Sequence, residues 1–271
     1  MKVTSLENTP FEEIVECFIK AFENYFVSFP NDPEYFRHRW KTAGVRYDLS
    51  YGMFDSEKLV GFIIHAIDHR NGDLTAYNTG TGVLPEYRGR KIVQSLYDFA
   101  LPDLRRNSIT RFTLEVIREN DPAIKAYRRV GFKICKNYQC FRGKVEVSAN
   151  IPSRLTEINF GMIDWQALVD QSTYSWDHHI NSLKNGNYRY FIIGENTEPD
   201  AYFILNSETG YVAQFDCFSP ANWPELFAAM NSISEILTIH NVEENLRGKI
   251  ENVKKAGLQN IIDQYEMEMR I

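Results

Sequence analysis

The order in which strand-like and helix-like segments follow one another limits the folds open to this chain. Residues 50–55, 59–68 and 74–84 have strand patterns, and Asn71-Gly72 marks a turn before the third of them. From residue 90 the pattern changes to helix, strand, helix and strand. Three consecutive strands followed by alternating helices and strands predict an α/β fold with a mixed sheet.

Two helices are expected before these strands. Apolar residues between Ile14 and Tyr25 recur at helical spacing and form one continuous stripe. The stretch Pro30-Asn31-Asp32-Pro33 interrupts this stripe, and residues 33–42 follow as a second short helix. The first half of the chain therefore has the order strand, two helices, three strands, helix, strand, helix and strand.

After a joint near residues 149–152, the second half resumes with a strand and two helices and then repeats the end of this order. Its strand patterns lie at residues 188–194, 200–206, 210–217, 236–240 and 261–270. Asn120 follows a strand and precedes Gly131 by eleven residues, and Asn245 precedes Gly257 by twelve in the same way. We therefore expect a tandem duplication with a period of about 125 residues. Chance similarity of two α/β tails is the alternative.

The duplication predicts two domains, residues 1–148 and 149–271. Residues 1–150 carry 22 Lys and Arg against 19 Asp and Glu, or +3, and residues 151–271 carry 8 against 17, or −9. A mildly basic half suits a phosphate-bearing ligand, although a solvated surface explains the same charge. An acidic half argues against a nucleic-acid partner.

Composition and spacing suggest further exclusions. The four cysteines form no CxxC pair and have no nearby histidine at ligand spacing, so we expect reduced thiols and no metal site. The sequence contains no apolar run long enough to span a bilayer and no signal-peptide pattern. We therefore expect a cytoplasmic protein without a membrane partner.

The stretch from Thr79 to Gln94 joins a strand to a helix through a turn that contains arginine and glycine. Free amides at a helix N-terminus bind phosphate, because the unpaired N–H groups and the helix dipole both favour an anion. Arg88, Arg90 and Lys91 add positive charge at this point. The turn is a candidate phosphate site, with an ordinary turn as the alternative.

Three blocks, VLPEYRGRKIV, LEVIREN and AIKAYRRVGF, resemble the GNAT superfamily of N-acetyltransferases in their order and spacing. The resemblance covers nearly all of residues 1–145 and implies two tandem GNAT-like folds, with acetyl-CoA as co-substrate. It implies acetyl transfer to a primary amine by direct attack through a tetrahedral intermediate. The alternative is a GNAT scaffold that binds or senses acyl-CoA without turnover.

The resemblance also implies which residues bind CoA. The turn that cradles the pyrophosphate corresponds to Arg88, Gly89, Arg90, Lys91, Ile92 and Val93. Lys91 and Val93 replace the small residues of the family pattern, but a helical φ is open to both, so we expect the turn to form. The amide of Val83 is expected to polarise the acetyl carbonyl.

Two side chains are candidates for the proton transfers. Glu115 stands where related ribosomal-protein alanine acetyltransferases carry a general base, and Tyr127 stands where the family carries the acid for the leaving thiolate. Alternatively, Glu115 is a salt-bridged residue at the surface and Tyr127 is a core residue, without a catalytic role. A phenol is a weaker acid than a thiol, so Tyr127 is expected to act as a hydrogen-bond donor. Asn120 would bind pantetheine or cap a helix.

The acceptor side is less defined by the sequence. Tyr25 and Phe26 are candidate substrate contacts, although such aromatic clusters are commonly core, and Tyr77 and Asn78 could hold a water molecule for the base. The second half lacks the Arg-Gly turn and a tyrosine equivalent to Tyr127. We expect it to be a degenerate, non-catalytic GNAT-like domain that covers a cleft or supports a homodimer. The identity of the amine is not determined.

Overall fold

The computed structural model describes residues 1–165, 168, 170–195 and 199–271, which divide into two compact units. The first unit contains Met1–Cys135 and Tyr265–Ile271, and the second contains Lys136–Gln264. The expected domains, 1–148 and 149–271, differ from these units at both ends. Residues 136–148 belong to the second unit, and the last seven residues of the chain belong to the first.

Elements of the first unit follow the expected order. They are β1 (Lys2–Ser5), α1 (Phe11–Ala21), α2 (Pro33–Ala43), β2 (Tyr51–Asp55), β3 (Lys58–Arg70), β4 (Asp73–Val83), α3 (Ile92–Arg106), β5 (Arg111–Ile117), α4 (Asp121–Val130) and the start of β6 (Lys133–Lys144).

Elements of the second unit begin with the remainder of β6. They continue with β7 (Leu155–Ile158), α5 (Ile180–Leu183), β8 (Arg189–Gly194), β9 (Pro199–Asn206), β10 (Tyr211–Cys217), α6 (Trp223–Ile233), β11 (Ile236–Glu243), α7 (Arg247–Lys255) and the first part of β12 (Gln259–Arg270). The end of β12 lies in the first unit.

The sheet of the first unit has the strand order β1-β2-β3-β4-β5-β12. Strands β1 to β4 are antiparallel, and β4 and β5 are parallel. The N–H of Ile271 donates to the carbonyl of Thr110, at the start of β5, at 3.1 Å. Because β12 ends where β5 begins, these two strands run antiparallel. The mixed α/β sheet expected from the sequence is confirmed.

Helices cover both faces of this sheet. On one face, Phe18 of α1 stacks on Phe62 of β3 with ring centroids 5.5 Å apart. On the other face, Phe112 of β5 contacts Tyr97 of α3 at 5.6 Å and Phe132 at 5.2 Å. The apolar stripe of α1 is buried as its spacing predicts, because Ile14, Val15, Cys17, Phe18 and Ala21 are all buried.

The last seven residues are an integral part of the first unit. Met267 is fully buried in its core. Arg111 binds Glu268 through two nitrogens, at 2.6 and 2.8 Å, and Arg270 pairs with Asp73 at 2.6 Å. A strand distant in sequence thus completes the sheet beside β5.

The second unit has the strand order β6-β11-β10-β9-β8-β7. Between β7 and β8, two full helices were expected. Among the described residues of that segment, the structure has only α5, of four residues, and short 3₁₀ turns at Phe160–Met162 and Gln171–Thr173. The segment contains polar residues that hydrogen-bond to their own backbone, such as Asp170 to the N–H of Ser172 at 2.9 Å, which favours turns over helix.

Within the described part of the chain, none of the helices combines the length and apolar character needed to cross a membrane.

Met267→Ala is expected to lower the free energy of unfolding by about 2–5 kcal/mol, because the residue is fully buried and truncation leaves a cavity. Met162→Ala is the matched control, since Met162 is 54% exposed and should change stability by less than about 0.5 kcal/mol. Urea unfolding curves compare the two variants. Equal stabilities would show that the C-terminal strand does not contribute to the core.

His65 is expected to make stability depend on pH. The residue is fully buried, its Nδ1 lies 2.6 Å from the carbonyl of Leu49, and burial lowers its pKa to about 4. The unfolded chain binds a proton near pH 6.5, so stability is complete above that pH and falls as the pH drops towards 4. Between pH 7 and pH 4, the free energy of unfolding measured by urea titration should fall by about 3 kcal/mol less in His65→Asn than in the wild type.

The exposed His69→Asn serves as the control for this titration. A loss of stability that is the same in the wild type, His65→Asn and His69→Asn would contradict the role of His65. His178 of the second unit has a pKa lowered to about 3, chiefly by burial, and contributes in the same direction.

Candidate active site

Strands β4 and β5 separate partway along their length. They pair in parallel from Thr75 opposite Arg111 to Asn78 opposite Leu114, and β4 then continues to Val83 while β5 continues to Ile117. The sheet therefore opens into a wedge at the carboxyl ends of these two strands. In open α/β sheets this edge is where ligands bind.

A β-bulge on β4 lies at the start of the wedge. The register with β3 passes from His65 opposite Asn78 to Ile64 opposite Gly80, so Thr79 is the extra residue. A bulge bends its strand and increases the local twist. The bulge explains why β4 moves away from β5 directly after Asn78.

The edge of β4 that faces the wedge offers backbone groups. The N–H of Leu84 donates to the carbonyl of Val60 at 2.9 Å, and Val83 lies opposite Gly61. Backbone groups alternate in an antiparallel pair, so the N–H of Val83 points away from β3 and into the wedge. This is the direction that the oxyanion role predicted for Val83 requires.

The predicted phosphate turn lies at the end of β4. Gly89 has a φ of 76°, and Lys91, the N-cap of α3, has a φ of 58° and a ψ of 23°. The helical φ expected for Lys91 is wrong, because the residue is in the left-handed region. That conformation costs a residue with a side chain about 1–2 kcal/mol. Ile92 is buried and Val93 half-buried at the start of the helix.

The two arginines of the turn have different roles. Arg88 donates from Nη2 to the carbonyl of Ala21, the last residue of α1, at 2.9 Å, and from Nε to the carbonyl of Val83 at 3.3 Å. The guanidinium carbon of Arg90 lies 4.9 Å from the ring centroid of Tyr87, and Arg90 is exposed. Arg88 thus fixes the turn, and Arg90 leaves its charge at the surface.

Tyr127 lies in a polar cluster on the α3 and α4 face of the wedge. The residue is 8% exposed, and its hydroxyl group interacts with Thr81 and Asn78. Asn78 Nδ2 donates to Thr81 Oγ1 at 2.7 Å and to the hydroxyl of Tyr97 at 3.1 Å. Burial raises the pKa of Tyr127 to about 12, so the phenol is protonated at neutral pH.

Glu115 lies on the opposite face of β5. Phe112, Leu114 and Val116 pack into the core with α3 and α4, and alternation along the strand directs Glu115 to the other side. The residue is half-buried. The wedge therefore has a carboxylate on one face of the sheet and a phenol on the other.

Asn120 caps α4. Its side-chain oxygen accepts from the N–H of Ala123 at 3.3 Å, and its Nδ2 donates to the hydroxyl of Tyr25 at 3.4 Å. Of the two roles expected from the sequence, the structure has the cap. Tyr25 is half-buried and packs against Phe26, which is 53% exposed.

Tyr77 and Asn78, expected to act together, lie on opposite faces of β4. Asn78 belongs to the cluster around Tyr127, whereas Tyr77 pairs with Thr113 and shares the face of Glu115. Thr81 and Tyr97 were not expected among the site residues. Thr81 lies two residues before Val83 on the predicted strand, and that position was the available signal.

The second unit has a similar wedge. Strands β10 and β11 pair only at Tyr211 with Thr238 and at Val212 with Ile239, and Ala213 forms a bulge on β10 as Thr79 does on β4. The N–H of Phe218 donates to the carbonyl of Asp200 at 2.9 Å. By the same alternation, the backbone groups of Phe215 and Cys217 point away from β9 and towards this wedge.

A lysine fills the wedge of the second unit. Lys249 of α7 is 7% exposed, and its Nζ donates to the carbonyl of Phe215 at 2.8 Å and pairs with Asp216 at 2.7 Å. Counted from the helix N-caps, Leu246 and Asn120, Lys249 corresponds to Ala123. A small side chain in the first unit is thus replaced by a long one that binds the strand edge.

Comparisons with known proteins agree with this geometry. Residues 11–132 match the family model described as the acetyltransferase (GNAT) family. The chain is also 28% identical to N-alpha-acetyltransferase 30 of Schizosaccharomyces pombe over 109 residues, which cover 40% of this chain and 67% of that protein.

Solved structures resemble the whole chain. A tandem GNAT protein from the clavulanic acid biosynthesis pathway has a TM-score of 0.67 and 12% identity, covering 99% of this chain and 98% of that one. A GCN5-related N-acetyltransferase from Sphaerobacter thermophilus has a TM-score of 0.66 and 10% identity, with coverage of 99% and 95%. At these identities the likeness shows the fold, which is a tandem GNAT fold. Residues 11–132, in the first unit, are therefore the segment that matches the GNAT acetyltransferases, within a chain that has a tandem GNAT fold.

Proposed function

We propose that the first unit transfers an acetyl group from acetyl-CoA, the donor used by this family, to a primary amine. The amine attacks the thioester directly and forms a tetrahedral intermediate. The observation that supports this proposal is the wedge between β4 and β5, with Glu115 on one face and Tyr127 on the other. A thioester held in the wedge is within reach of a base from one side and of a hydrogen-bond donor from the other.

Acetyl-CoA would bind along β4 and at the start of α3. Pantetheine can pair with the open edge of β4 as an added strand does, with the N–H of Val83 as the donor to the developing oxyanion. The pyrophosphate would bind the amides of the turn from Gly89 to Val93, where positive φ values at Gly89 and Lys91 curve the backbone and α3 begins.

The acceptor amine needs a base. An alkylammonium with a pKa of about 10.4 leaves roughly one molecule in a few thousand neutral at pH 7. Glu115 is a carboxylate on the face of the sheet opposite α3 and α4, the face on which we place the acceptor, and Tyr77 and Thr113 lie on the same face. Glu115 accepts the ammonium proton directly or through a water molecule.

Tyr127 acts on the leaving thiolate as a hydrogen-bond donor. Its pKa of about 12 lies well above that of a thiol, about 8.5, so complete proton transfer to the sulfur would be uphill by roughly 5 kcal/mol. A hydrogen bond from the phenol lowers the energy of the thiolate without that cost. The thiolate then takes its proton from the nitrogen of the intermediate.

The second unit is proposed to be non-catalytic. Lys249 already binds the carbonyl of Phe215, at the edge with which pantetheine would pair, and the ion pair with Asp216 holds it there. The alternative function of the first unit is an acyl-CoA sensor without turnover, and the strained backbone of Lys91 in the candidate phosphate turn is the one observation that favours it.

Release of free CoA thiol from acetyl-CoA, measured across a panel of primary amines, tests the proposal. An acetyltransferase releases the thiol with at least one amine, and a sensor releases none.

Lys91→Gly is expected to be more stable than Lys91→Ala by about 1 kcal/mol, because glycine adopts the left-handed conformation without steric cost. Urea unfolding compares the two variants, and calorimetry gives the Kd for acetyl-CoA. We expect Lys91→Gly to bind acetyl-CoA at least as tightly as the wild type. A more stable alanine variant would show that the residue is not strained.

Tyr127→Phe is expected to lower kcat for CoA release by about 100-fold and to leave the KM for acetyl-CoA within about twofold, because the lost hydrogen bond forms on the leaving thiolate. Tyr87→Phe is the matched control, since it removes a phenol that bonds Asp55 at 3.0 Å outside the wedge. Unchanged turnover in Tyr127→Phe would refute the role of the phenol.

A further inference from the structure

Glu115 has a carboxylate neighbour contributed by the end of the chain. Leu114, Met267 and the half-buried Tyr265 pack into the core of the first unit on the α3 and α4 side. Alternation therefore places Glu115 of β5 and Glu266 of β12 on the opposite face. Glu266 is 7% exposed and lies in a strand about 150 residues away in sequence.

The register of β5 and β12 places these two carboxylates side by side. The backbone hydrogen bond from Ile271 to Thr110 makes these two residues an opposite pair. Because the strands run antiparallel, each step forward along β5 corresponds to one step back along β12. Counting along the strands from this bond places Glu266 opposite Glu115. Directly opposite side chains in an antiparallel pair have Cβ atoms about 4.5–5.5 Å apart.

Independent contacts support this register. The guanidinium of Arg118 lies 5.1 Å from the ring of Tyr265, and Met269 approaches Gly131 on the α4 side. The first contact follows from this pairing, which puts even-numbered residues of β5 and odd-numbered residues of β12 on one face, and the second contact places Met269 on that face.

Two polar neighbours show where the carboxylate of Glu266 lies. Cys135 of β6 donates from Sγ to Glu266 Oε1 at 3.4 Å, and Arg111 Nη2 lies 3.9 Å from the same oxygen. Arg111 binds Glu268 more closely, at 2.6 and 2.8 Å. Glu266 thus lies between the residue proposed as the base and an exposed thiol, and Glu268 is the main partner of the arginine.

We propose that Glu266 binds the ammonium group of the acceptor beside Glu115, so that the C-terminal strand completes the acceptor site. This proposal rests on the proposed function. The ammonium transfers one proton to Glu115, and the neutral nitrogen attacks the acetyl carbon. The C–N bond forms, the C–S bond breaks, and the nitrogen passes its second proton to the departing thiolate.

The paired carboxylates define the class of amine. A carboxylate next to the reacting amine would be repelled by Glu266, so the site takes cationic amines that lack an adjacent carboxylate and disfavours free amino acids. Alaninamide and alanine differ in the group next to the amine, which is an amide in the first and a carboxylate in the second. We expect kcat/KM to favour alaninamide by about tenfold or more.

Glu266→Gln tests the binding role in CoA-release assays. The KM for the amine should rise by about tenfold, the KM for acetyl-CoA should stay within about twofold, and the preference against the carboxylated amine should shrink. Glu268→Gln is the matched control. It removes the stronger partner of Arg111, so a purely structural effect would be larger in Glu268→Gln than in Glu266→Gln.

A second measurement does not depend on activity. Alkylation of Cys135 by iodoacetamide, followed by peptide mass spectrometry, should be faster in Glu266→Gln than in the wild type or Glu268→Gln, because the carboxylate disfavours the thiolate. An unchanged rate overturns the placement of Glu266. An active Glu266→Gln with wild-type KM for the amine overturns the acceptor role alone. A wild type that releases no CoA with any amine overturns the proposed function as well.

Discussion

The separation of β4 from β5 is the constraint on which the rest of the first unit depends. The two strands can pair only as far as Asn78 and Leu114, because the extra residue Thr79 bends β4 away. Beyond this point, backbone groups that a continuous sheet would satisfy internally point into an open wedge. The same bend brings Thr81 towards Tyr127 and lets Arg88 join the end of β4 to the end of α1.

In the proposed mechanism, the wedge lets a base and a hydrogen-bond donor reach one thioester from opposite faces of the sheet. A strand presents its side chains to alternate faces, so β5 can place Glu115 on the acceptor side only while Leu114 and Val116 anchor it in the core. Tyr127 reaches the wedge from a helix on the other face, and its burial keeps the phenol protonated. The sheet itself therefore separates the carboxylate from the hydrogen-bond donor.

Both units have the bulge and the separated strands, but they differ in what occupies the wedge. In the first unit, the residue at this position is Ala123, whose side chain is a single methyl group. In the second unit, Lys249 at the corresponding position donates to Phe215 and pairs with Asp216. A buried lysine needs such partners, since burial without them would disfavour its charge. A single long side chain can thus account for the different functions that we propose for the two wedges.

The sequence by itself determined the order of the elements in the first unit and the mixed sheet, and it predicted a phosphate turn and roles for Glu115 and Tyr127. Those features depend on periodicity and on short blocks, and both are local properties of the chain. The sequence could not show that Lys91 is left-handed or that Asn78 belongs to the cluster around Tyr127, and it left two roles open for Asn120. Each of these depends on contacts made after folding. The unit boundaries and the place of Glu266 beside Glu115 were decided by tertiary structure alone, because pairing between strands about 150 residues apart leaves no local pattern in the sequence.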